Sequence, residues 1–222
     1  MDITLKPDEK ILVVSPHPDD ESIGCGGLLS VFKGQCDVML VTDGYNEQLN
    51  NQEISEIRQK EFVKAANVLG VNKRIFLHIP EGKIKEDFKS FLSVDYSTYR
   101  YVFVPNKFEE HKDHFDVYTS VKKALKHQSC RCELIEYEVW TTIRRPNIKL
   151  DISEVIDRKI QAIEVYQSQL KELDYVGMTI GLNSYRGKGR GCEYAEVFYS
   201  EQKARRKKVK DRKAKIKKLI KH

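Results

Sequence analysis

Short aliphatic runs alternate with segments of helical periodicity along most of the chain. The clearest run, residues 11–14 (ILVV), ends at Ser15-Pro16, and such a run before a turn signal is typical of a buried strand. We predict further strands at residues 36–42, 74–78, 101–104, 133–139 and 195–199. Helices are predicted at residues 24–32, 53–69, 114–126 and 154–170, while residues 175–185 fit either a helix or a loop.

Strands that alternate with helices in this way indicate βαβ units. The chain is therefore predicted to be an α/β protein, a Rossmann-like three-layer sandwich with a mostly parallel sheet. Ligands of such folds bind beyond the carboxyl ends of the strands. We therefore expect a functional site in the loops that follow the first, second and fourth predicted strands.

The loop after the first strand contains one imidazole and three carboxylates within five positions: His17, Asp19, Asp20 and Glu21. Two prolines stiffen this loop. The adjacent carboxylates repel each other, and a divalent cation would relieve that repulsion. Histidine and aspartate are common zinc ligands, and a catalytic zinc site uses three protein ligands and leaves one position open.

The loop after the fourth strand offers a further ligand at residues 111–114, which read His-Lys-Asp-His. Its strand-to-helix position puts His111 and His114 on the same rim of the sheet as His17. Taken singly, an H-x-x-H pair is usually a surface feature, and an acidic loop is often an ordinary turn. Because both loops lie at strand ends of one predicted sheet, we predict that they converge on one metal ion.

Residues 15–27 (SPHPDDESIGCGG) resemble the signature of the PIG-L/LmbE-type zinc-dependent de-N-acetylases, and residues 111–114 resemble the H-x-D-H element of that family. Shorter similarities are R-x-x-E at residues 58–61, Y-x-S-Q at 166–169 and EYAEVF at 193–198. Together the resemblance covers about residues 10–200, the span of a whole domain.

The resemblance implies a role for each matching residue. The implied metal ligands, for Zn²⁺ or another divalent ion such as Fe²⁺, are His17, Asp20 and His114. The implied catalytic groups are Asp19 as general base, His111 as the group that stabilises the oxyanion and assists departure of the amine, and Asp113 as the carboxylate that orients His111. Arg58 is implied to contact the substrate sugar.

Several details stay open at this stage. Either Asp19 or His111 could protonate the leaving nitrogen. Asp19 could instead be a second metal ligand beside Asp20, although adjacent residues of an extended loop point to opposite sides, which favours separate roles. The alternative for Arg58 is a surface pair with Glu56 or Glu61 on its own helix.

Two positions depart from the family pattern. Lys112 stands where the family often has proline, and Glu109 stands where it commonly has aspartate. We expect neither side chain to touch a metal ligand, so the chemistry would be unchanged and only contacts with the substrate would differ.

The charge of the chain is divided unevenly. Residues 203–222 contain twelve lysines and arginines and one acidic residue, a net charge of +11, whereas residues 1–202 have a net charge of −5. We therefore predict a catalytic domain at residues 1–202 and a basic C-terminal tail at residues 203–222. A disordered, solubilising tail and a peripheral contact with an anionic membrane are favoured equally. Nucleic acid binding is less favoured because the tail has no aromatic residues.

The chain begins with no signal-peptide pattern, its longest aliphatic run is four residues, and its five cysteines are an odd number. These features predict a cytoplasmic protein with reduced thiols, and the tail would allow it a peripheral position at the membrane surface. The oligomeric state is not readable from the sequence.

The resemblance implies a zinc-dependent hydrolase that removes the acetyl group from an amino sugar of the N-acetylglucosamine type. The sugar would be a small molecule or linked to a lipid or nucleotide, as in glycoconjugate biosynthesis. The alternatives are a metal-dependent hydrolase of another amide, and a binding protein held on a membrane or RNA through the basic tail.

Overall fold

Five parallel strands form the central sheet of the protein. The computed structural model describes residues 3–45, 51–189, 191–205 and 208–209. The strands are β1 Ile11–Ser15, β2 Cys36–Leu40, β3 Lys73–Phe76, β4 Tyr101–Pro105 and β5 Glu133–Tyr137. They lie in the order β3-β2-β1-β4-β5, and every pairing is parallel. The prediction of an α/β fold with a mostly parallel sheet is therefore confirmed.

Helices cover both faces of the sheet. Their bounds are α1 Asp20–Val31, α2 Gln52–Leu69, α3 Phe88–Leu92, α4 Lys112–His127, α5 Ile156–Glu164, α6 Gln167–Leu170 and α7 Tyr175–Lys188. Successive side chains of a strand point to opposite faces, so β1 contributes to two cores. Ile11 and Val13 pack in one core with residues of α1, α2 and α5, and Leu12 and Val14 pack in the other with residues of α3 and α4.

The order of the strands determines where the two predicted site loops lie. The chain runs outward from β1 to β2 and β3, then returns to β4 on the other side of β1. The carboxyl ends of β1 and β4 are therefore neighbours at the point where the strand order reverses, which is where such sheets bind ligands. Helices α1 and α4 begin directly beyond these two strand ends.

The predicted helix at residues 154–170 is interrupted. A short 3-10 turn at Ser153–Val155 precedes α5, and the chain leaves the helical path at Tyr166 before α6 begins. The reason is a competing long-range contact, since the backbone N–H of Ser168 donates to Glu61 of α2 at 3.0 Å. The ambiguous segment after α6 is helical as α7, and its first turn is capped by the side chain of Asp174.

Among the described residues, three elements were not predicted. They are α3, a 3-10 turn at Tyr96–Thr98 and the strand β6 at Ile148–Asp151, which pairs antiparallel with β7 at Ala195–Phe198. Helix α1 also begins four residues before its predicted start, at Asp20. The glycines of α1 allow close packing against its neighbours. A Cβ at Gly24 would meet the ring of Tyr137, and one at Gly27 would meet Ile152.

Most of the basic tail predicted at residues 203–222 lies outside the described residues. Of that segment the structure describes only residues 203–205 and 208–209, which are helical. The division into a domain and a tail therefore remains a prediction. Within the part of the chain that is described, no helix has both the length and the apolar character needed to cross a bilayer.

Candidate active site

Three imidazoles meet at the carboxyl ends of β1 and β4. His17 follows β1, while His111 and His114 stand at the start of α4. The ring of His17 lies 4.9 Å from that of His111 and 5.3 Å from that of His114, and the latter two rings are 4.9 Å apart. One nitrogen from each ring lies within 4.8 Å of the others. The two loops therefore converge as the sequence predicts.

Asp20 lies between two of these rings. Its Oδ2 atom is 3.2 Å from Nδ1 of His17 and 3.1 Å from Nε2 of His114, and it also accepts the backbone N–H of His17 at 3.0 Å. Burial raises the pKa of the Asp20 carboxyl, but the interactions with His114 and His17 outweigh burial and hold this pKa well below its usual range. Asp20 is therefore an ionised ligand candidate.

His17 is flanked by two carboxylates that favour its protonated form. Burial alone would lower its pKa, but hydrogen bonds to Asp113 and Asp20 outweigh burial and raise the pKa of His17 to about 10. A proton thus balances the buried carboxylates. Ligand imidazoles are neutral, so a bound cation would replace this proton.

The surroundings of His114 test whether the residues fit a metal. The ring is fully buried, and neither of its nitrogens has a partner with hydrogen-bond geometry among the described residues. A buried polar atom without a hydrogen bond costs about 1–3 kcal/mol, and coordination of a cation by Nε2, which lies 3.1 Å from Oδ2 of Asp20, would remove that cost for this atom. Two imidazoles and a carboxylate are a donor set that suits zinc and related divalent ions. His17, Asp20 and His114 therefore fit a divalent metal.

Glu109 supports this site, contrary to the expectation that it touches no ligand. Its Oε2 atom faces Nδ1 of His114 at 3.8 Å, and Oε1 accepts the backbone N–H groups of Val139 and Thr141. A carboxylate behind a ligand histidine fixes the orientation of the ring. The sequence identified this position but not its contact. Lys112, the other departure from the family pattern, pairs with Asp116 at 2.8 Å instead.

Asp19 has a backbone conformation that is unusual for a residue with a side chain. Its φ angle is 119°, and strain of this kind is common at functional sites. Its Oδ2 atom lies 3.5 Å from Arg58, whereas Asp20 contacts His17 and His114, so the two aspartates have different partners. Burial, followed by the charge of Asp20, raises the pKa of Asp19 well above its usual value. A carboxylate of raised pKa is a stronger base.

Glu21 holds the strained loop in place. Its buried carboxylate accepts the backbone N–H of Asp19 at 3.2 Å and the hydroxyls of Ser15, Ser22 and Tyr166. Tyr166 comes from the interruption between α5 and α6, 145 residues away in sequence, at 2.6 Å. The sequence analysis singled out Glu21 and residues 166–169 separately. No feature of the sequence near either segment predicts that they are hydrogen-bonded to each other.

Arg58 reaches the site from α2. It donates to the carbonyl oxygen of Pro18 at 3.0 Å, lies 3.5 Å from Oδ2 of Asp19, and pairs with Glu81 at 3.5 Å. The alternative of a surface pair along α2 is wrong for Glu61, whose carboxylate is bound by the backbone and hydroxyl of Ser168. Arg58 therefore lies beside the candidate base.

Asp113 binds a different histidine from the one that the resemblance implies. Its Oδ2 atom is 3.3 Å from Nε2 of His17, and the carboxylate also accepts the N–H of Gly82. Among the described contacts of Asp113, none is a hydrogen bond to His111. The predicted orienting contact is therefore corrected: helix α4 turns Asp113 toward β1, where it orients a candidate ligand.

His111 is exposed at the mouth of the site. Partial burial of its ring, the largest cause, and the neighbouring His17 lower the pKa of His111. These surroundings oppose the protonated imidazole that the resemblance implies. A neutral His111 still has one ring N–H, which can donate a hydrogen bond to a substrate oxygen.

Comparisons with known proteins find deacetylases among the proteins that are similar to this chain. The diacetylchitobiose deacetylase of Thermococcus kodakarensis is 28% identical, with 85% of this chain and 81% of that protein covered. A probable N-acetyl-alpha-D-glucosaminyl L-malate deacetylase 2 of Bacillus cereus is 24% identical, with 73% and 84% covered. The crystal structure of a conserved protein from Thermus thermophilus superposes with a TM-score of 0.74 at 26% identity, over 87% of this chain and 94% of that chain.

The family model described as PIG-L, GlcNAc-PI de-N-acetylase, matches residues 12–125, which is half of the chain. Those residues contain both loops of the site and the helix that carries Arg58. The chain therefore belongs to the PIG-L family of de-N-acetylases.

Proposed function

We propose that the protein hydrolyses the N-acetyl group of an amino sugar of the N-acetylglucosamine type, with a divalent metal held by His17, Asp20 and His114. The observation that carries the proposal is the fully buried His114, whose unpaired ring nitrogens lie between the carboxylates of Asp20 and Glu109. The two curated relatives, which are named for deacetylation of N-acetylated glucosamine compounds, support the choice of substrate class.

A bound Zn²⁺ or Fe²⁺ would supply Lewis-acid polarisation of the amide and a water of lowered pKa. Asp19 is the group proposed to take the proton of the attacking water, because it is adjacent to Asp20 but pairs with Arg58 and not with the ligand imidazoles. A general base of this kind typically contributes about 10²–10⁴ in rate. His111, at the mouth, would donate its ring N–H to the acyl oxygen as negative charge develops there.

Departure of the amine needs a proton on the leaving nitrogen. The carboxyl of Asp19, once it has taken the proton from water, is one source, and the other is His111 in its protonated form. Arg58, within 3.5 Å of Asp19, would contact the sugar next to the reacting amide and keep the base oriented. The guanidinium of Arg58 also donates to the carbonyl oxygen of Pro18, which holds it in position.

The test is acetate release from a panel of N-acetylglucosamine conjugates by protein of measured metal content. We expect Asp20→Ala to lose the metal and the activity together. Asp19→Asn should keep the metal but lose about 10²–10⁴ in kcat, while Asp8→Asn, at an exposed aspartate, should behave as wild type.

Two results would contradict the proposal. One is no acetate release from any conjugate at stoichiometric metal, which would mean that the substrate class is wrong. The other is full activity of Asp19→Asn, which would remove Asp19 from the reaction. Assays of Zn²⁺-loaded and Fe²⁺-loaded protein in parallel identify the metal that supports turnover.

A further inference from the structure

A second concavity of about 230 Å³ adjoins the candidate active site. It lies between α1, the loop after β5 and the outer side of α7. Most of its wall is apolar or aromatic and is formed by Ile23, Val139, Trp140, Tyr175, Met178 and Leu182. Its volume is below the roughly 300–1,000 Å³ of pockets for drug-sized ligands, so it suits one small group and not a whole glycan.

The backbone connects this cavity directly to the catalytic loop. The N–H of Ile23 bonds to the carbonyl of Asp19, and the N–H of Val139 bonds to Glu109. The cavity therefore lies beside the loop that carries Asp19, the residue that Arg58 approaches to 3.5 Å.

The rim of the cavity exposes large apolar side chains. Trp140 is 44% exposed and Met178 is 47% exposed, and the rings of Trp140 and Tyr175 meet edge to face at 5.7 Å. Exposed aromatic and thioether groups around a concavity are typical of a surface that a ligand covers. An apolar group that enters from the site would remove these side chains from water.

The floor of the cavity contains an unpaired acceptor. Asn183 is 5% exposed, and its amide nitrogen donates to the carbonyl of Ala195 at 3.0 Å. Its Oδ1 atom has no hydrogen-bond partner in the described part of the chain. A buried acceptor without a donor is costly, so an occupant that carries one hydroxyl or N–H would satisfy it.

Among the described residues that line the wall, Glu138 alone is charged, and it is already neutralised. Arg186 of α7 binds its carboxylate through two nitrogens, and the N–H of Ile143 donates to it as well. Because Arg186 and Glu138 are paired with each other, none of those lining residues offers a positive charge to an acidic group of a ligand. The lining therefore discriminates against a carboxylate or phosphate and favours an apolar occupant.

We propose that this cavity is a specificity subsite for an apolar aglycone, an aryl or short alkyl group bonded to the amino sugar. The inference rests on the proposed function, because it places the sugar beside Arg58. Because the cavity lies beside the Asp19 loop, next to which Arg58 would hold the sugar, we assign its occupant to the aglycone and not to the acyl group. Apolar glycosides are thus expected to be better substrates than the corresponding methyl glycoside.

Trp140 provides a binding test that does not depend on turnover, because it is the only tryptophan of the chain. Metal-loaded protein would be titrated with the methyl, phenyl and octyl glycosides of glucosamine, the amine products, below any micelle concentration. We expect a saturable blue shift of emission with the phenyl and octyl compounds, at least about tenfold tighter than with the methyl compound.

Acetate release from the corresponding N-acetylated glycosides is the second measurement. In wild type we expect kcat/KM to be at least about tenfold higher for the phenyl than for the methyl glycoside. Met178→Ala should remove most of that preference. Tyr185→Ala should keep it, because Tyr185 lies on the same helix, is 73% exposed and is not part of the wall.

The outcomes separate the two proposals. Acetate release with equal kcat/KM for all glycosides and no emission shift would overturn the subsite while supporting the deacetylase. A preference that follows the length of the N-acyl chain, and not the aglycone, would also overturn it. A saturable shift without any acetate release would support the apolar subsite and refute the proposed function.

Discussion

Removal of one hydroxyl should disturb the catalytic loop from a distance. Tyr166 is 1% exposed, and its hydroxyl donates to Oε1 of Glu21 at 2.6 Å. A hydrogen bond to a charged buried group contributes about 1.5–3 kcal/mol. Tyr166→Phe should therefore lower the free energy of unfolding by about 2 kcal/mol, which for a domain of this size is a fall in Tm of about 4–8 °C.

The same change should reduce activity because Glu21 also holds the backbone N–H of Asp19. We expect kcat to fall while KM changes little, since the substrate surfaces are untouched. Urea unfolding of wild type, Tyr166→Phe and the control Tyr185→Phe would measure the stability, and acetate release would measure the rate. The exposed hydroxyl of Tyr185 should contribute less than about 0.5 kcal/mol.

A double-mutant cycle makes this reasoning refutable. If the hydroxyl acts through Glu21, the effects of Tyr166→Phe and Glu21→Gln should be coupled by about 1 kcal/mol or more. Additive effects, or a loss in Tyr166→Phe no larger than that in Tyr185→Phe, would show that this hydrogen bond does not stabilise the loop.

Three further predictions follow from single contacts and from the charge of the tail. Glu109→Gln should weaken metal binding about 10–100-fold, because the carboxylate behind a ligand imidazole is lost. A competition assay with a chelator measures the metal affinity, and an affinity equal to that of wild type would contradict this prediction. Gly24→Ala should destabilise the protein by about 1–3 kcal/mol, because the added methyl group would overlap the ring of Tyr137. Gly181→Ala, at an open helical position, should stabilise it by about 0.5–1 kcal/mol. Thermal unfolding should show a lower Tm for the first variant and a higher Tm for the second. Deletion of residues 206–222 should leave hydrolysis of water-soluble glycosides unchanged. It should remove salt-sensitive binding to anionic vesicles, with a loss of binding free energy of about 1 kcal/mol per deleted basic residue. Equal vesicle binding of both proteins would exclude a membrane role for the tail.

Local sequence patterns explain why most strands and helices around the central sheet were predictable. The runs at β1 and β4 are continuous and apolar because these strands are buried on both faces, and Gly70 ends α2 in the left-handed conformation that glycine favours. The break at Tyr166 was not predictable, because residues 154–170 keep a helical period across it. Only the bond from Ser168 to Glu61, 107 residues away, overrides that period.

The amino-acid sequence by itself indicated the alternation of strands and helices around a parallel sheet and the convergence of the two loops at one edge of that sheet. These follow from residue type and spacing, which act locally, and from the rule that parallel strands present their carboxyl ends on one edge.

Only the tertiary structure decided which carboxylate faces which imidazole. Asp113 binds His17, Glu109 faces His114, and Tyr166 anchors the loop through Glu21. Each contact joins segments whose relative positions depend on the packing of α1, α4 and α5 against the sheet. Such contacts differ by a few ångströms in otherwise equivalent arrangements, and residue spacing along the chain does not encode differences of that size.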